Sequence, residues 1–377
     1  MLKKSVLFSF ETVRVAVEAF QYSFPIIFLD SCFLKHPGPS TQLMSASFKT
    51  TENHLLPICF GTAPAESNLS WNFFLCNLRQ VLTEFCPQIH DFRNIILMSD
   101  RNKGLLNAVP TQFPESLHHY CAMHLLGNIK GNVKECYFWK AVDATDARIL
   151  HHCCSNAGLD MTSLKNIYKH WVLFGIIEDG RKRYKIRTNN GAESLNNAFK
   201  PYRSISPLNA MHQLHVYATR KFQEYCSLTR TSQRDPTWPF TQYAQTVYDS
   251  NRWMANNCKV VSSSSTEWKV QEFNHNFSVK LSSSGELSCS CLRYDDEEIP
   301  CQHILKVLSD TGRTVDLRKL IGPIHLWENY LHAFPEKPVF VPKDCALYLS
   351  NPLVVTPESE KKDWSNKNSA FLWSDRL

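Results

Sequence analysis

The stretch PIIFLD, residues 25–30, is an apolar run that ends in an acid, and NIILMSD at 94–100 repeats this pattern. Short apolar runs without polar alternation are typical of strands that are buried on both faces of a sheet. Between them, residues 43–50 alternate loosely and LLPICF at 55–60 is another apolar run, so both segments predict strands. Residues 66–82 have helical spacing. This order predicts an α/β fold, a mixed sheet with helices on its faces.

Asp30 and Asp100 each end one of these apolar runs. Strand ends that face a common edge of a sheet are where functional groups gather. With a third acid on a nearby helix, two such carboxylates can hold two divalent metal ions about 3.5–4 Å apart, which suits phosphoryl transfer. Mg²⁺ fits because it prefers hard oxygen ligands. The alternative is that each Asp is a turn residue, or that Asp100 caps the helix that follows it.

A candidate for the third acid is Glu193, in the first turn of the helix that TNNGAESLNNAF opens at residues 188–199. The residues from Asn190 to Glu193 also fit a capping box, in which Glu193 would accept a hydrogen bond from the N–H at the helix start. Taken alone, the residues favour this capping interpretation. Three other acids lie nearby without opening a comparable helix: Asp160, Glu178 and Asp179.

A Cys-x-Cys pair, nine intervening residues and a Cys-x-His pair form the metal-binding pattern Cys289, Cys291, Cys301 and His303. A tetrahedral structural zinc takes four S or N ligands, usually as two close pairs. In an extended segment, residues i and i+2 point to the same face and can bind one ion. The upstream sequence predicts a hairpin, and the downstream sequence predicts a helix, so we expect a small ββα zinc module. The alternative is four coincidental small hydrophobic positions.

Three weaker patterns stay open. Cys121 and His124 are spaced to share one face of a helix, and HHCC at 151–154 would complete a second zinc site with them. Core cysteines and surface histidines are the favoured interpretation of both groups. RKRYKIR at 181–187 carries five basic residues, which would contact a DNA backbone or protect the edge of a sheet.

The composition limits the class of protein. The chain has 377 residues, enough for about two or three domains. Its net charge of +6 permits a polyanionic partner without requiring one. It has 14 cysteines and no secretory context, so we expect a reduced, intracellular compartment. Glu11 and Arg14 interrupt the N-terminal apolar run, and no run of 18 apolar residues occurs, so neither a signal peptide nor a membrane span is expected.

Several segments, in this order, resemble the Mutator-like (MULE) transposase domain: FLDSCFLK, GTAPAESNLSWNFFLCNL, LMSDRNKGLLNAVPTQFP, HHYCAMHLLGNIK and TNNGAESLNNAF. Residues 266–310 resemble the SWIM zinc finger. The resemblance implies an RNase H-like fold with a DDE active site, and a structural zinc. It places the catalytic acids that would bind Mg²⁺ or Mn²⁺ on Asp30, Asp100 and Glu193. The family's CxxH motif falls on the accessory residues Cys121 and His124.

This resemblance divides the chain into four parts. Residues 1–225 are expected to form the RNase H-like DDE transposase domain, with a helical insertion at about 125–185. A helical or irregular linker is expected at 226–265, where a run of serines marks its end. The SWIM finger is expected at 266–310, and a tail at 311–377.

The resemblance implies a DDE transposase that cuts and joins DNA in the nucleus, acting on element ends and target DNA. A homo-oligomer and a protein partner through the SWIM finger are further expectations, and no membrane association is expected. The segment after Asp30 has only Gly38 where the family is rich in glycine. We also expect that the N-terminal zinc-containing DNA-binding module of many relatives is missing, as in a truncated or non-autonomous copy. The alternatives are a domesticated, non-catalytic DNA-binding or regulatory protein, and a decayed copy.

Overall fold

The computed structural model describes residues 6–37, 40–129, 133–159, 164–231, 237–335 and 353–355. The strands are β1 Val6–Thr12, β2 Ile26–Leu34, β3 Thr41–Lys49, β4 Leu55–Ala63, β5 Ile96–Ser99, β6 Leu117–Tyr120, β7 Cys258–Ser263, β8 Glu267–Glu272, β9 His275–Leu281, β10 Leu287–Cys289 and β11 Leu353–Val355. Short 3₁₀ helices span Lys165–His170, Lys200–Tyr202, Ala255–Asn257 and Pro323–His325.

The α-helices are α1 Arg14–Phe20, α2 Asn68–Phe85, α3 Lys103–Gln112, α4 Ala122–Asn128, α5 Glu135–Val142, α6 Ala147–Ala157, α7 Leu173–Glu178, α8 Asn190–Ala198, α9 Pro207–Thr231, α10 Gln242–Met254, α11 Arg293–Glu297, α12 Gln302–Thr311, α13 Leu317–Leu320 and α14 Trp327–Ala333. Among the described residues, no helix combines the length and the apolar character needed to cross a bilayer.

The first sheet has the order β11-β1-β4-β3-β2-β5-β6. Strands β1 to β4 pair antiparallel, whereas β5 and β6 join the β2 edge in parallel. The antiparallel strands β2 to β4, followed by the parallel strands β5 and β6 and covered by helices, form the RNase H-like pattern. The predicted α/β class with a mixed sheet is therefore confirmed.

The central strands are buried on both faces, which explains their unbroken apolar sequence. Ile27 and Leu29 of β2 belong to the largest hydrophobic cluster, together with residues of α1, α2 and α3. Their neighbours Ile26 and Phe28 face a second cluster, which includes Ala192 of α8. Gly191 permits this approach, because a Cβ at that position would lie 3.2 Å from the Phe28 ring. The helix that carries Glu193 therefore packs directly against the strand that carries Asp30.

Helices α4 to α7 form a separate hydrophobic core between β6 and α8. Phe138 and Trp171 stack in it with ring centroids 5.6 Å apart. Cys153 and Cys154 are buried in the same core. The segment expected as a helical insertion is thus helical, and its cysteine pair serves the packing of that core.

The second sheet is antiparallel, with the order β10-β9-β8-β7, and α12 packs against it. The predicted hairpin corresponds to β9 and β10, which turn around Gly285. The sequence did not anticipate β7 and β8, so the module is larger than the expected ββα unit. Its first strand starts at Cys258, ahead of the expected boundary at residue 266.

The chain after the zinc module is folded at residues 313–335, which were expected to belong to a tail. Helix α14 places Tyr330 and Phe334 in the largest hydrophobic cluster. Tyr330 and Phe334 also contact each other, with ring centroids 4.8 Å apart. The remainder of the expected tail lies outside the described residues, apart from β11.

Candidate functional site

Asp30 and Asp100 lie side by side at one edge of the first sheet. Strands β2 and β5 pair in parallel, with Ile26 opposite Ile96 and Phe28 opposite Met98. Continuing this register by two residues places Asp30 level with Asp100, on strands about 4.8 Å apart and on the same face. Asp30 lies within β2, which continues to Leu34, whereas Asp100 directly follows β5.

The two oxygens of Asp30 are held by different donors. The Ser31 N–H donates to Oδ1 at 2.9 Å, and Nδ2 of Asn196 on α8 donates to Oδ2 at 2.6 Å. Burial raises the pKa of Asp30 to about 6, against the lowering effect of the Ser31 hydrogen bond; the negative charge of Asp100 raises it further. A partly buried carboxylate beside a second one is stabilised by a cation, so this pair suits a divalent metal.

Asp100 forms a turn and does not cap the helix that follows. Its Oδ1 accepts a hydrogen bond from the Asn102 N–H at 3.1 Å. The cap of α3 is Asn102, whose side chain accepts from the Gly104 N–H at 2.7 Å. The turn leaves the second carboxylate oxygen of Asp100 available at the sheet edge. The capping alternative for Asp100 is therefore wrong.

Glu193 lies in the first turn of α8, but the predicted capping box is not formed. No side chain caps this helix. The side-chain amide of Asn189, the residue before it, instead donates to the Leu29 carbonyl at 3.0 Å. The Glu193 carboxylate faces His124, with Oε1 4.0 Å from Nε2. Among the competing acids, Glu178 and Asp179 lie at the end of α7, where Asp179 pairs with Arg181. Asp160 lies outside the described residues.

Cys121, His124 and Glu193 come together, with one ligand atom of each within 4.8 Å of the others. The Cys121 sulfur also accepts the Asn189 N–H at 3.2 Å, which joins the start of α4 to the start of α8. Burial raises the pKa of the Cys121 thiol. The three residues therefore link the CxxH helix to the helix of the third acid.

Glu66 is a further acid at this edge that the sequence did not identify. It lies between β4 and α2, and its Oε1 accepts a hydrogen bond from the Trp71 indole at 3.1 Å. Burial raises the pKa of Glu66, and the charge of Asp100 raises it further. Glu66 in turn contributes to the raised pKa of Asp30. The available signal was an acid shortly after an apolar strand, the same signal that identified Asp30 and Asp100.

The raised pKa of Asp30 predicts how stability depends on pH without added Mg²⁺. Below pH 3.8, the ordinary pKa of an aspartate, Asp30 is protonated in both the folded and the unfolded state and does not lower the free energy of unfolding. As the pH rises from there through about 6, the folded state loses stability. We expect the stability of the wild type, measured relative to Asp30→Asn, to fall by about 1 kcal/mol between pH 5 and pH 7, because only the wild type has a carboxyl that ionises at this position. Urea unfolding at both pH values measures it.

The exposed Asp91→Asn is the matched control for this prediction and should show no such pH-dependent difference. Adding Mg²⁺ should stabilise the wild type more than Asp30→Asn, because only the wild type keeps both carboxylates. An unchanged difference in stability between wild type and Asp30→Asn at pH 5 and pH 7 would contradict the raised pKa.

The second site is the buried cluster Cys289, Cys291, Cys301 and His303. Its ligand atoms lie within 4.8 Å of one another. His303 Nδ1 is 3.5 Å from the Cys289 sulfur and 3.8 Å from the Cys301 sulfur. Tetrahedral zinc with ordinary bond lengths places sulfur and nitrogen ligands about 3.5 Å apart. The cluster is therefore consistent with a structural zinc.

Glu272 of β8 fixes the histidine of this cluster from outside. Its Oε2 lies 3.2 Å from His303 Nε2, the ring nitrogen opposite the one that faces the sulfurs. Gln302 also donates to both Glu272 oxygens, at 3.1 and 3.2 Å. A carboxylate on the far nitrogen sets the tautomer and ring orientation of a metal-binding histidine. This contact makes Nδ1 the nitrogen that is free to bind the metal.

Replacing Glu272 with Gln is expected to lower zinc affinity by about 10–100-fold, because the histidine loses its charged partner. Competition with a chromophoric zinc chelator measures the affinity. Glu286→Gln, an exposed change in the same module, is the control. If both variants bind zinc as tightly as the wild type, Glu272 has no effect on the metal ligand.

Two known families match separate parts of the chain. Residues 26–128 match the MULE transposase domain, and residues 277–312 match the SWIM zinc finger. The first match contains Asp30, Asp100 and the CxxH residues and ends before Glu193; the second contains the whole Cys3His cluster. No curated protein matches the chain. The resemblance to a MULE transposase domain and a SWIM zinc finger is thus confirmed.

Proposed function

We propose that this chain, which carries a MULE transposase domain followed by a SWIM zinc finger, cuts and joins DNA strands as a DDE transposase. The observation that supports this most directly is the register of β2 and β5, which brings Asp30 and Asp100 to one edge of the sheet. The chain would act as a truncated or non-autonomous copy if it depends on another protein to recognise the element ends.

Asp30, Asp100 and Glu193 are the proposed catalytic acids, and their carboxylates would hold Mg²⁺ or Mn²⁺. When bound, two such ions activate the attacking oxygen and stabilise the leaving oxygen of an in-line displacement at phosphorus. Asn196 and the Ser31 N–H orient Asp30, and the turn at Asn102 orients Asp100.

Two successive displacements make up the proposed reaction. In the first, a water oxygen bonds to phosphorus as the P–O3′ bond of the element end breaks, and the 3′ oxygen leaves with a proton. In the second, this 3′-hydroxyl attacks a target phosphodiester and displaces its 3′ oxygen. The same carboxylates serve both steps, because both are in-line substitutions at phosphorus.

Cys121 and His124 are proposed as accessory residues that position Glu193. His124 lies 4.0 Å from the carboxylate, and Cys121 accepts the N–H of Asn189 one residue before α8. Whether these residues also bind a metal ion is a separate proposal. Their side chains and Glu193 are close enough for one ion.

The zinc ligands proposed for the SWIM finger are Cys289, Cys291, Cys301 and His303. Three sulfurs and one imidazole, all buried, match the donor set of a closed structural zinc site and leave no open position for catalysis. The zinc would therefore contribute to folding and to the shape of the finger.

DNA is the proposed partner, at both element ends and target, and the nucleus is the proposed location. Exposed Lys35, Arg101 and Lys103 follow Asp30 and Asp100 closely in the chain, where they would contact phosphates. Because two element ends have to be joined together, we also propose a homo-oligomer. The SWIM finger would contact DNA or a protein partner.

A domesticated, non-catalytic DNA-binding or regulatory protein is the second candidate. One observation favours it: the Glu193 carboxylate is half exposed and faces His124. In a domesticated protein, the fold would remain as a DNA-binding scaffold while catalysis is lost.

The test is a cleavage and joining assay with the zinc-loaded chain on supercoiled and linear DNA. Mg²⁺ or Mn²⁺ should produce nicked and joined products, and Ca²⁺, as the control, should permit binding without reaction. DNA binding without cleavage under any of these conditions would support the domesticated protein. Absence of DNA binding would contradict both candidates.

A further inference from the structure

The basic segment, residues 181–187, is covered by the acidic spacer of the zinc finger, residues 293–298. The spacer connects the Cys-x-Cys pair to the Cys-x-His pair and contains helix α11. All five basic side chains of the segment face acids, in the pairs Arg181–Asp179, Lys182–Glu298, Arg183–Asp296, Lys185–Glu297 and Arg187–Asp143. The segment is therefore not an edge strand, and each of its basic side chains already faces an acid.

Asp296 holds the backbone of the basic segment. Its Oδ1 accepts the Arg183 N–H at 2.7 Å, and its Oδ2 accepts the Lys185 N–H at 3.1 Å. Tyr184 and Lys185 have φ angles of 48° and 62°, which L-residues rarely adopt. Such a conformation persists where the surroundings impose it, and here the carboxylate binds the two N–H groups on either side of Tyr184.

Arg183 connects three parts of the chain at this point. Its side chain is 2% exposed, contacts Asp296 at 3.4 Å and pairs with Asp143 of the helical insertion at 2.5 Å. It also donates to the Val142 carbonyl at 3.2 Å. Without Asp296 the guanidinium would lose its buried carboxylate and keep only the more exposed Asp143, so the contact with the spacer depends on Asp296.

The basic segment continues directly to the catalytic edge. The Arg187 carbonyl accepts the Ala122 N–H at 3.0 Å, at the start of α4. Two residues later, the side-chain amide of Asn189 donates to the carbonyl of Leu29, the residue before Asp30. Helix α8, with Glu193, starts at the next residue. The position of the segment therefore sets where α8 begins.

The other end of this connection is the zinc cluster. The spacer leaves the cluster at Cys291 and returns at Cys301, and both cysteines are buried. Leu292 and Glu298, at either end of α11, have positive φ angles of 57° and 55°. A metal that holds both cysteines would fix the two ends of this short, tightly turned loop, and with them the carboxylate of Asp296.

We propose that zinc binding in the finger positions the third acid of the active site, with Asp296 as the positioning residue that holds the basic segment and thereby the start of α8. The positioning of α8 stands on the contacts above; the catalytic role of Glu193 rests on the proposed function. The finger is thus coupled to the catalytic edge within one chain, in addition to any contact with DNA or protein.

Hydrogen exchange tests this coupling without requiring catalysis. In Asp296→Asn, amides of residues 183–193 should exchange at least about tenfold faster than in the wild type, because the segment loses its charged partner. Asp295→Asn is the matched control, one residue away in the same spacer, and should exchange like the wild type. Zinc release by a chromophoric chelator should give equal stoichiometry for all three proteins, which shows that the finger is intact.

Reciprocal binding distinguishes coupling from a local structural role. If zinc positions the Mg²⁺ site, zinc should tighten Mg²⁺ binding in the wild type by about fivefold or more, and Mg²⁺ should tighten zinc binding by the same factor. Neither effect should occur in Asp296→Asn. Glu298→Gln is a milder variant, for use if Asp296→Asn fails to fold, and should show a smaller loss. Unchanged exchange at 183–193 on zinc removal would overturn the proposal. Faster exchange in a chain that never cleaves DNA would support it and contradict only the proposed function.

Discussion

Asp100→Asn is expected to reduce metal-dependent DNA cleavage by about a thousandfold or more. Asp100 lies at the end of β5, level with Asp30, so the amide would remove one of two adjacent carboxylates from the site. The Asn102 N–H would still find an oxygen acceptor at position 100, so the turn should persist and the fold with it. Initial rates of nicking with Mg²⁺ measure the effect, because Mg²⁺ demands near-ideal geometry from its oxygen ligands and is therefore sensitive to the loss of one carboxylate.

Two controls separate chemistry from binding and folding. Asp91→Asn changes an exposed acid before the same strand and should cleave like the wild type. DNA affinity of Asp100→Asn, measured in Ca²⁺, should stay within about threefold of the wild type, since one lost acid near phosphates does not weaken binding. Wild-type cleavage by Asp100→Asn would show that a different site, or a contaminating nuclease, cuts the DNA.

Cys301→Ser is expected to abolish zinc binding and to unfold the SWIM finger. The sulfur is fully buried and close to His303, and structural zinc contributes apparent binding energies of about 10–16 kcal/mol to small modules. The four-stranded sheet has a small core, so it should not persist without the metal. Zinc stoichiometry should fall from one to zero per chain, and limited proteolysis should cut within residues 258–311.

Cys258→Ser is the matched control for the zinc prediction. Cys258 is buried in the same core, and it groups with Glu272 and His303 as an alternative metal cluster. We expect this variant to keep zinc, because the Cys3His cluster supplies four ligands without it. Zinc lost from Cys258→Ser and retained by Cys301→Ser would mean that the alternative cluster binds the metal.

Some of this molecule follows from short-range patterns in the sequence. The apolar runs before Asp30 and Asp100 predicted buried strands, because a strand covered on both faces has no polar positions to alternate. The Cys-x-Cys and Cys-x-His spacing predicted the zinc cluster, since a tetrahedral ion requires close pairs of ligands. Both inferences depend on residues near one another in the chain. The structure brings the four cluster residues together as expected.

The same short-range reasoning failed where distant residues compete for one group. A capping box was favoured for Glu193. At the start of that helix, however, Asn189 donates hydrogen bonds to the Leu29 carbonyl and the Cys121 sulfur, which belong to other parts of the chain. Glu66 went unnoticed because its proximity to Asp100 depends on the packing of α2 on α3. Gly104 permits that packing, since a Cβ there would lie 2.6 Å from Trp71.

The sequence by itself indicated a mixed sheet with helices, placed Asp30 and Asp100 at the ends of two apolar runs and grouped the four residues of the Cys3His cluster. Only the tertiary structure decided the partners of the basic segment. Asp296 lies 113 residues from Arg183, and no periodicity records a pairing across that distance. The pairing is enforced because a buried guanidinium and a buried carboxylate are each unstable alone and stable only where the fold brings them into contact.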